Sequence, residues 1–348
     1  MGCRCVEPIK TLYQKNIAAR QERGFLSYAL WPTTVVYGIG SFLHNFKYEN
    51  IVVPQKVDKP VISVGNITVG GTGKTPFIAY LGHKLRELGK QCAIVTRGYG
   101  IDEVRLLDEH VPDASIIVDK DRYNGIRQFL ASRGVADVFL MDDGFQHRNV
   151  RRDLDIVLIN GLNPFGNGFL VPAGTLREPI TALTRADLIA ITHADQISEQ
   201  EFIALAQKIS AVAVDTPIIG CAHSPLALIN ASTQEHIEVN ELDKKDVVAF
   251  CGIGFAEGFK KTLELQGARV VDFMEFLDHV EYSAEHVQAV SKMQSRLPHA
   301  LCVTTEKDLM RNKELWQHDD HVWVLRINMT VIRGEEYLNE SIERLFTC

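Results

Sequence analysis

The chain contains no internal repeat, no low-complexity tract and no heptad run, so solenoids, disordered linkers and coiled coils drop out at once. It has no excess of basic charge: 37 Lys and Arg stand against 44 Asp and Glu, a net charge of −7. That balance argues against nucleic acid as a partner. Cysteine is present without metal spacing. Of the seven, only Cys3 and Cys5 lie close together, while Cys92, Cys251 and Cys302 sit in apolar runs. These last three read as small core residues of a reducing compartment. Charge itself is missing from one stretch, Gly24 to Phe46, which carries no Asp, Glu, Lys or Arg.

That uncharged stretch follows a basic one, with Arg4, Lys10, Lys15, Arg20 and Arg23 against Glu7 and Glu22. It is long enough to cross a bilayer. Pro32, several hydroxyls and three glycines make it a poor spanning helix. No cleavage site of small residues follows a short apolar core, which counts against a signal peptide. The Met1-Gly2-Cys3 start lacks the Ser or Thr at position 6 that myristoylation requires; Val6 stands there. Basic then apolar and aromatic suits a helix or hairpin dipping into the cytoplasmic face of a membrane. A true span and an ordinary packed arm stay open. On this reading, removing residues 1–48 releases the chain from membranes and leaves the rest of the site formed.

What is present is an α/β rhythm. Val61-Ile62-Ser63-Val64 reads as a strand buried on both faces, and Gly65, Gly70, Gly71 and Gly73 make the following loop rich in glycine. Lys74-Thr75 and Pro76 then lead into a helix that runs over Phe77–Leu88 and stops at Gly89. Strand, glycine-rich loop, Lys-Thr and helix make a phosphate-binding loop. Its backbone N–H groups, Thr68, Val69, Gly70, Gly71, Thr72 and Gly73 among them, curl around phosphates at a helix N-terminus. Lys74 reaches the β- and γ-phosphates of a nucleoside triphosphate, and the Thr75 hydroxyl holds Mg²⁺. Thr68 occupies a position where such loops usually carry glycine.

Further strands are predicted at Cys92–Val95, Val138–Met141, Ile156–Ile159 and Leu188–Ile191, giving a mostly parallel sheet covered by helices. Residues 212–245 show short polar stretches without strong periodicity, and a domain boundary is placed there. A second α/β rhythm follows, with strands at Val247–Phe250, Arg269–Phe273, Ala300–Val303 and His321–Ile327 and a closing helix over Glu335–Phe346. Three parts result: a membrane-associating segment over 1–50, a phosphate-loop domain over 51–215 and a smaller α/β domain over 216–348.

Asp142-Asp143 follows the strand Val138–Met141, where a carboxylate holds Mg²⁺ next to a phosphate loop; the choice between the two is open. Gln146, His147 and Arg148 come just after and can reach anionic groups. Thr96-Arg97-Gly98-Tyr99-Gly100, Asp121-Arg122-Tyr123 and Arg177-Glu178 also fall in loops where ligands collect. Asp278-His279 and Thr304-Thr305-Glu306-Lys307-Asp308 occupy comparable places in the second half.

Read in order, VGNITVGGTGKTP, TRGYG, DDGFQHR, DLDIVLI, FGNG, PAGTLREP, RAD, FLDHVEY and TTEKD resemble the tetraacyldisaccharide 4′-kinase family of lipid A biosynthesis, from about residue 24 to about 340. The resemblance implies two α/β/α domains with nucleotide and lipid in the cleft between them. It implies transfer of the ATP γ-phosphate to the 4′-hydroxyl of a tetraacyldisaccharide 1-phosphate at the cytoplasmic face of a Gram-negative inner membrane. It also implies a catalytic Asp102 and His279 beside Lys74, Glu103 as a further metal residue, and Asn66, Arg97, Arg122, Gln146, His147, Arg177 and Glu178 on the substrate. Asp102 in the first domain and His279 in the second meet, on this reading, when the cleft closes. The chain departs from the family pattern at one point: Gly100 runs almost at once into Ile101-Asp102-Glu103-Val104, without the longer insert that usually precedes the acidic pair. Two other readings are a phosphate-loop kinase acting on a different hydroxyl and a nucleotide-binding protein that has lost its chemistry.

Overall fold

The computed structural model describes residues 25–98, 100–316 and 319–347. The basic residues from Arg4 to Arg23 and the Cys3–Cys5 pair lie outside the described residues. In chain order the elements are α1 (Phe25–Asn50), β1 (Val61–Asn66), α2 (Lys74–Glu87), β2 (Cys92–Thr96), α3 (Ile101–His110), β3 (Ser115–Val118) and α4 (Arg122–Ala131). There follow β4 (Val138–Asp142), β5 (Leu154–Asn160), β6 (Leu188–Thr192), α5 (Glu199–Ser210), β7 (Ile218–Asn230), β8 (His236–Glu238), β9 (Asp246–Cys251) and α6 (Ala256–Leu265). The chain closes with β10 (Arg269–Glu275), α7 (Ala284–Arg296), β11 (Leu301–Thr305), α8 (Glu306–Arg311), α9 (Lys313–Trp316), β12 (Val322–Arg333) and α10 (Glu335–Arg344).

Two compact units emerge. The first holds residues 25–98, 110–222 and 331–347; the second holds 100–109 and 223–330. In the first, strands run β7-β6-β5-β1-β4-β2-β3. The pairs from β6 through β1 and β4 to β2 and β3 are all parallel. Every residue of β1, β4 and β5 is buried, as expected for strands covered on both faces. Helix α2 covers the sheet with Phe77, Ile78, Leu81 and Leu85. Pro76 stands in its first turn, where an amide donor has no intrahelical partner to lose. Gly65, next to last in β1, lies against the backbone of the turn that follows β4: a Cβ there would lie 2.7 Å from the Phe145 nitrogen. Only glycine lets β1 and the Asp142–Gln146 turn come this close.

The second unit is a smaller sheet, β10-β9-β11-β12-β7, with β8 antiparallel to β7. Phe250, Tyr282 and Trp316 pack together in its core. Helix α3 belongs to this unit, although its sequence lies among strands of the first. The physical reason is charge. Arg311 and Lys307 of α8 bind Asp102 and Glu103 in the first turn of α3.

Two sequence expectations change. Residues 212–245 hold a long strand that the lack of periodicity did not show: β7 runs thirteen residues through them, buried near both ends and partly exposed in its middle. It begins in one unit and ends in the other, so its burial follows two environments and no single period emerges. The second concerns the open choice between helix and hairpin in the uncharged stretch: from Phe25 onward it lies in one continuous helix, Phe25–Asn50, and not in a hairpin. No helix among the described residues is long and apolar enough to cross a membrane. Helix α1 is built the reverse of a usual surface helix. Ser27, Thr34 and Asn45, spaced along one face, bond to Asn167, Leu170, Ala173 and Glu178. Trp31, Val35, Val36, Ile39, Phe42, Leu43 and Phe46 are exposed instead.

Candidate active site

The phosphate loop is built from β1 outward. Gly73 adopts a left-handed conformation (φ 78°) at the mouth of α2, which turns the chain into the helix and leaves its first N–H groups free of internal partners. Asn66, fully buried at the end of β1, donates through Nδ2 to Thr72 Oγ1 at 2.9 Å and so ties the loop's two ends together. The Gly71 carbonyl accepts from Asn160 at the end of β5. On the other side the loop is braced by residues 175–177: the Val69 amide donates to the Thr175 carbonyl, and the Arg177 amide donates to the Ile67 carbonyl, both at 2.7 Å. Thr68 pairs in a short antiparallel bridge with Leu176. An extended, paired residue needs no glycine, which accounts for the threonine there.

Lys74 opens α2, and its Nζ lies 3.5 Å from Asp143 Oδ1. Arg177 Nη1 donates to both Asp143 oxygens, at 2.9 and 3.0 Å. Asp143 adopts a left-handed φ of 49°, which turns its carboxylate away from the line of β4 toward these two cations. Burial pushes its pKa up, but the charges of Lys74 and Arg177 outweigh burial and hold it down at about 2. Asp142, the last residue of β4, is buried and points elsewhere: its Oδ2 accepts from Thr96 Oγ1 at 3.1 Å, at the end of β2. Arg122 Nη2 reaches the Asp142 carbonyl at 3.4 Å. His147 stands near Arg122, Arg152 and Arg97. Burial first, and those arginines second, lower its pKa to about 4, so its ring is neutral at physiological pH.

Behind Arg177, Glu178 is a hub. It is 3% exposed and accepts from Gln146, Asn45 and Arg185. Gln146 also donates to the Asn66 carbonyl at 2.9 Å. Asn66, Lys74, Asp143, Gln146, Arg177 and Glu178 therefore form one connected cluster at the carboxyl ends of parallel strands. Such edges are where ligands bind in open α/β sheets.

The second unit gathers the other predicted residues. Asp102 accepts from Arg311 Nε at 2.8 Å, with both side chains 6% exposed. Burial pushes the Asp102 carboxyl up, but the hydrogen bond from Arg311 and the charges of Lys307, Arg311 and His279 leave it below its ordinary range. Asp102 is thus a carboxylate at neutral pH. His279, half exposed and at a left-handed φ of 57°, has Nε2 3.8 Å from Asp278 Oδ2. Asp278 Oδ1 in turn lies 3.7 Å from Arg311 Nη2. Asp102 and His279 thus share one network, with Arg311 and Asp278 as its middle members. Glu103 is ion-paired with Lys307 at 2.7 Å. Arg311 also bonds the Gly252 carbonyl and Asp308, and Asp308 accepts from Tyr282 and the Gly252 amide. Sequence reasoning passed over Arg311. Its signal was the four-residue step from Lys307, which places both cations on one face of α8.

A model of the tetraacyldisaccharide-1-P 4′-kinase family matches residues 26–101 and 102–347, two segments that meet where the insert before Asp102 is missing. The chain is similar to the tetraacyldisaccharide 4′-kinase of Syntrophus aciditrophicus, 35% identical over 320 residues that cover 83% of this chain and 85% of the relative. It is also similar to a probable mitochondrial tetraacyldisaccharide 4′-kinase of Arabidopsis thaliana, 33% identical over 83% of this chain and 82% of that one. Among solved structures it resembles LpxK from Aquifex aeolicus in complex with ATP, with 29% identity and a TM-score of 0.71 over 92% of this chain and 100% of that one. With family motifs running the whole length of both units and a braced phosphate loop at the end of β1, the chain belongs to the tetraacyldisaccharide-1-P 4′-kinase family.

Proposed function

We infer that this chain transfers the γ-phosphate of ATP to the 4′-hydroxyl of a tetraacyldisaccharide 1-phosphate. The observation that carries the reading is Lys74 at the head of α2, in a loop braced by residues 175–177, within a chain that matches the family along nearly its whole length. In the resting site Asp143 neutralises Lys74 and Arg177. Triphosphate oxygens would take over those cations, since a charged donor prefers the stronger and more numerous acceptors. The loop's N–H groups and Lys74 then stand where negative charge develops as phosphorus leaves the β-phosphate.

Thr75 and Asp142 supply a hydroxyl and a carboxylate, the hard oxygen donors that Mg²⁺ takes, so the residues present fit that ion. Bound there, Mg²⁺ would neutralise phosphate charge. Asp143, engaged by two cations, fits the role of a direct ligand less well than Asp142. Asp102, ionised and oriented by Arg311, is assigned the proton of the attacking hydroxyl, and His279 is assigned to the same step through the Asp278–Arg311 link. Arg97, Arg122 and His147 are assigned to the anionic substrate.

The acceptor is a lipid, and α1 fits a lipid surface. Its exposed aromatic and aliphatic face, the basic residues that precede it and the absence of a described spanning helix together support peripheral seating on the cytoplasmic face of a membrane. The test is direct: the purified chain is incubated with ATP, Mg²⁺ and tetraacyldisaccharide 1-phosphate, and lipid products are separated by charge. A bisphosphorylated lipid is expected. ATP hydrolysis without a new lipid phosphate would point to a different acceptor, and neither product would remove the kinase reading.

A further inference from the structure

Helix α1 is more than a surface for lipid. Its inner face is wired to the phosphate loop by a short chain of side chains. Asn45 Nδ2 donates to Glu178 Oε2 at 2.9 Å. The other carboxylate oxygen, Oε1, accepts from Gln146 Nε2 at 3.0 Å. The same Gln146 nitrogen donates to the Asn66 carbonyl at 2.9 Å, and Asn66 holds Thr72 inside the loop. A second path runs beside it. Tyr37 OH donates to the Arg177 carbonyl at 3.0 Å, and the Arg177 guanidinium grips Asp143, the partner of Lys74. All of these residues belong to the first unit. Glu178 is buried, so its orientation depends on keeping its donors, and Asn45 is the one supplied by α1.

We propose that α1 is a working arm of the nucleotide site, in which Asn45 and Tyr37 are positioning residues that couple the seating of this helix on a lipid surface to the binding of ATP. The proposal rests on the reading of the loop as an ATP site and of α1 as a lipid-seated helix. A lipid surface that covers Trp31, Phe42 and Phe46 favours the docked helix, and the docked helix holds Glu178 and Arg177 where the loop needs them. Two ligands that favour the same arrangement bind each other's state more tightly, and the effect is reciprocal. The proposal predicts, against the expectation that residues 1–48 can be removed without loss to the site, that this deletion weakens ATP binding, because it takes away both Tyr37 and Asn45.

The experiment measures Mg·ATP affinity of the full chain with and without vesicles of phosphatidylethanolamine and phosphatidylglycerol. Asn45→Asp keeps the size of the side chain and sets a carboxylate against Glu178, whereas Asn45→Gln keeps a donor. In the unsubstituted chain, vesicles are expected to tighten ATP binding about fivefold or more, the lower end of ordinary coupling. Asn45→Asp is expected to weaken ATP binding and to abolish the vesicle effect while still partitioning onto vesicles; Asn45→Gln recovers part of both. Melting curves without nucleotide check that the variants fold, and Tyr37→Phe repeats the test should Asn45→Asp not. ATP affinity that ignores both substitutions, or that ignores vesicles in the unsubstituted chain, overturns the coupling. If the unsubstituted chain binds no ATP at all, the reading of the loop fails instead, and the two failures are told apart.

Discussion

At the scale of single residues, Asp143 is the shared partner of Lys74 and Arg177, and on the proposed function triphosphate oxygens take its place. Replacing Lys74 by Ala removes a point charge from the place where negative charge grows during transfer. Turnover should fall by about 10²-fold or more, as it does when one preorganised electrostatic contact is lost. Initial rates of lipid phosphorylation measure this, and a near-normal rate would contradict the role given to Lys74. His147 makes a different prediction, for stability. Its pKa is about 4 in the folded chain against about 6.5 when unfolded, so the unfolded chain binds the extra proton. Its contribution is full above about pH 6.5 and declines as pH falls toward 4. Allowing for solvent around a partly exposed ring, the loss is about 1–2 kcal/mol. Chemical denaturation at pH 7, 6 and 5 should therefore show His147→Gln losing less stability on acidification than the unsubstituted chain. Parallel pH profiles would mean that the ring is less shielded than its surroundings imply.

At the scale of elements, α1 carries its polar residues inward and its apolar residues outward. Seven large hydrophobic side chains are exposed there, a patch that the proposed lipid seat would cover. Removing two of them, Phe42→Ser with Phe46→Ser, should cut vesicle partition by tenfold or more, since burying one such side chain is worth about 1.5–3 kcal/mol. Partition should also strengthen with anionic lipid and weaken with salt, at about 1 kcal/mol for each basic residue near the surface. Sedimentation with vesicles checks both, and unchanged partition of the double variant would rule out this face as the seat. The strands that form the phosphate-loop sheet were legible because both of their faces are buried, which leaves an unbroken apolar run in β1, β4 and β5. Strand β3 was not legible: it is four residues long at the sheet edge, and its burial is incomplete. Strand β7 was missed for the reason already given, a change of surroundings along its length.

At the scale of the whole molecule, local sequence by itself determined the phosphate loop. Glycines, Lys74 and Thr75 act through backbone conformation and through neighbours a few residues away, so their meaning survives without the fold. The same holds for Asp142-Asp143 at a strand end, and ordered motifs along the chain were enough to indicate the family. Tertiary structure alone decided which residues of those motifs share a cluster. That Asp102 travels with the second unit follows from two ion pairs to α8, across some two hundred positions of sequence, and no local pattern contains that information. It also separated two adjacent aspartates, sending Asp143 to Lys74 and Arg177 and Asp142 to Thr96, because the left-handed backbone at Asp143 turns successive side chains toward different partners. The inward face of α1 was decided in the same way. Composition shows an uncharged, apolar stretch, but which side of it meets protein depends on Glu178 and Arg177, more than a hundred residues further along the chain.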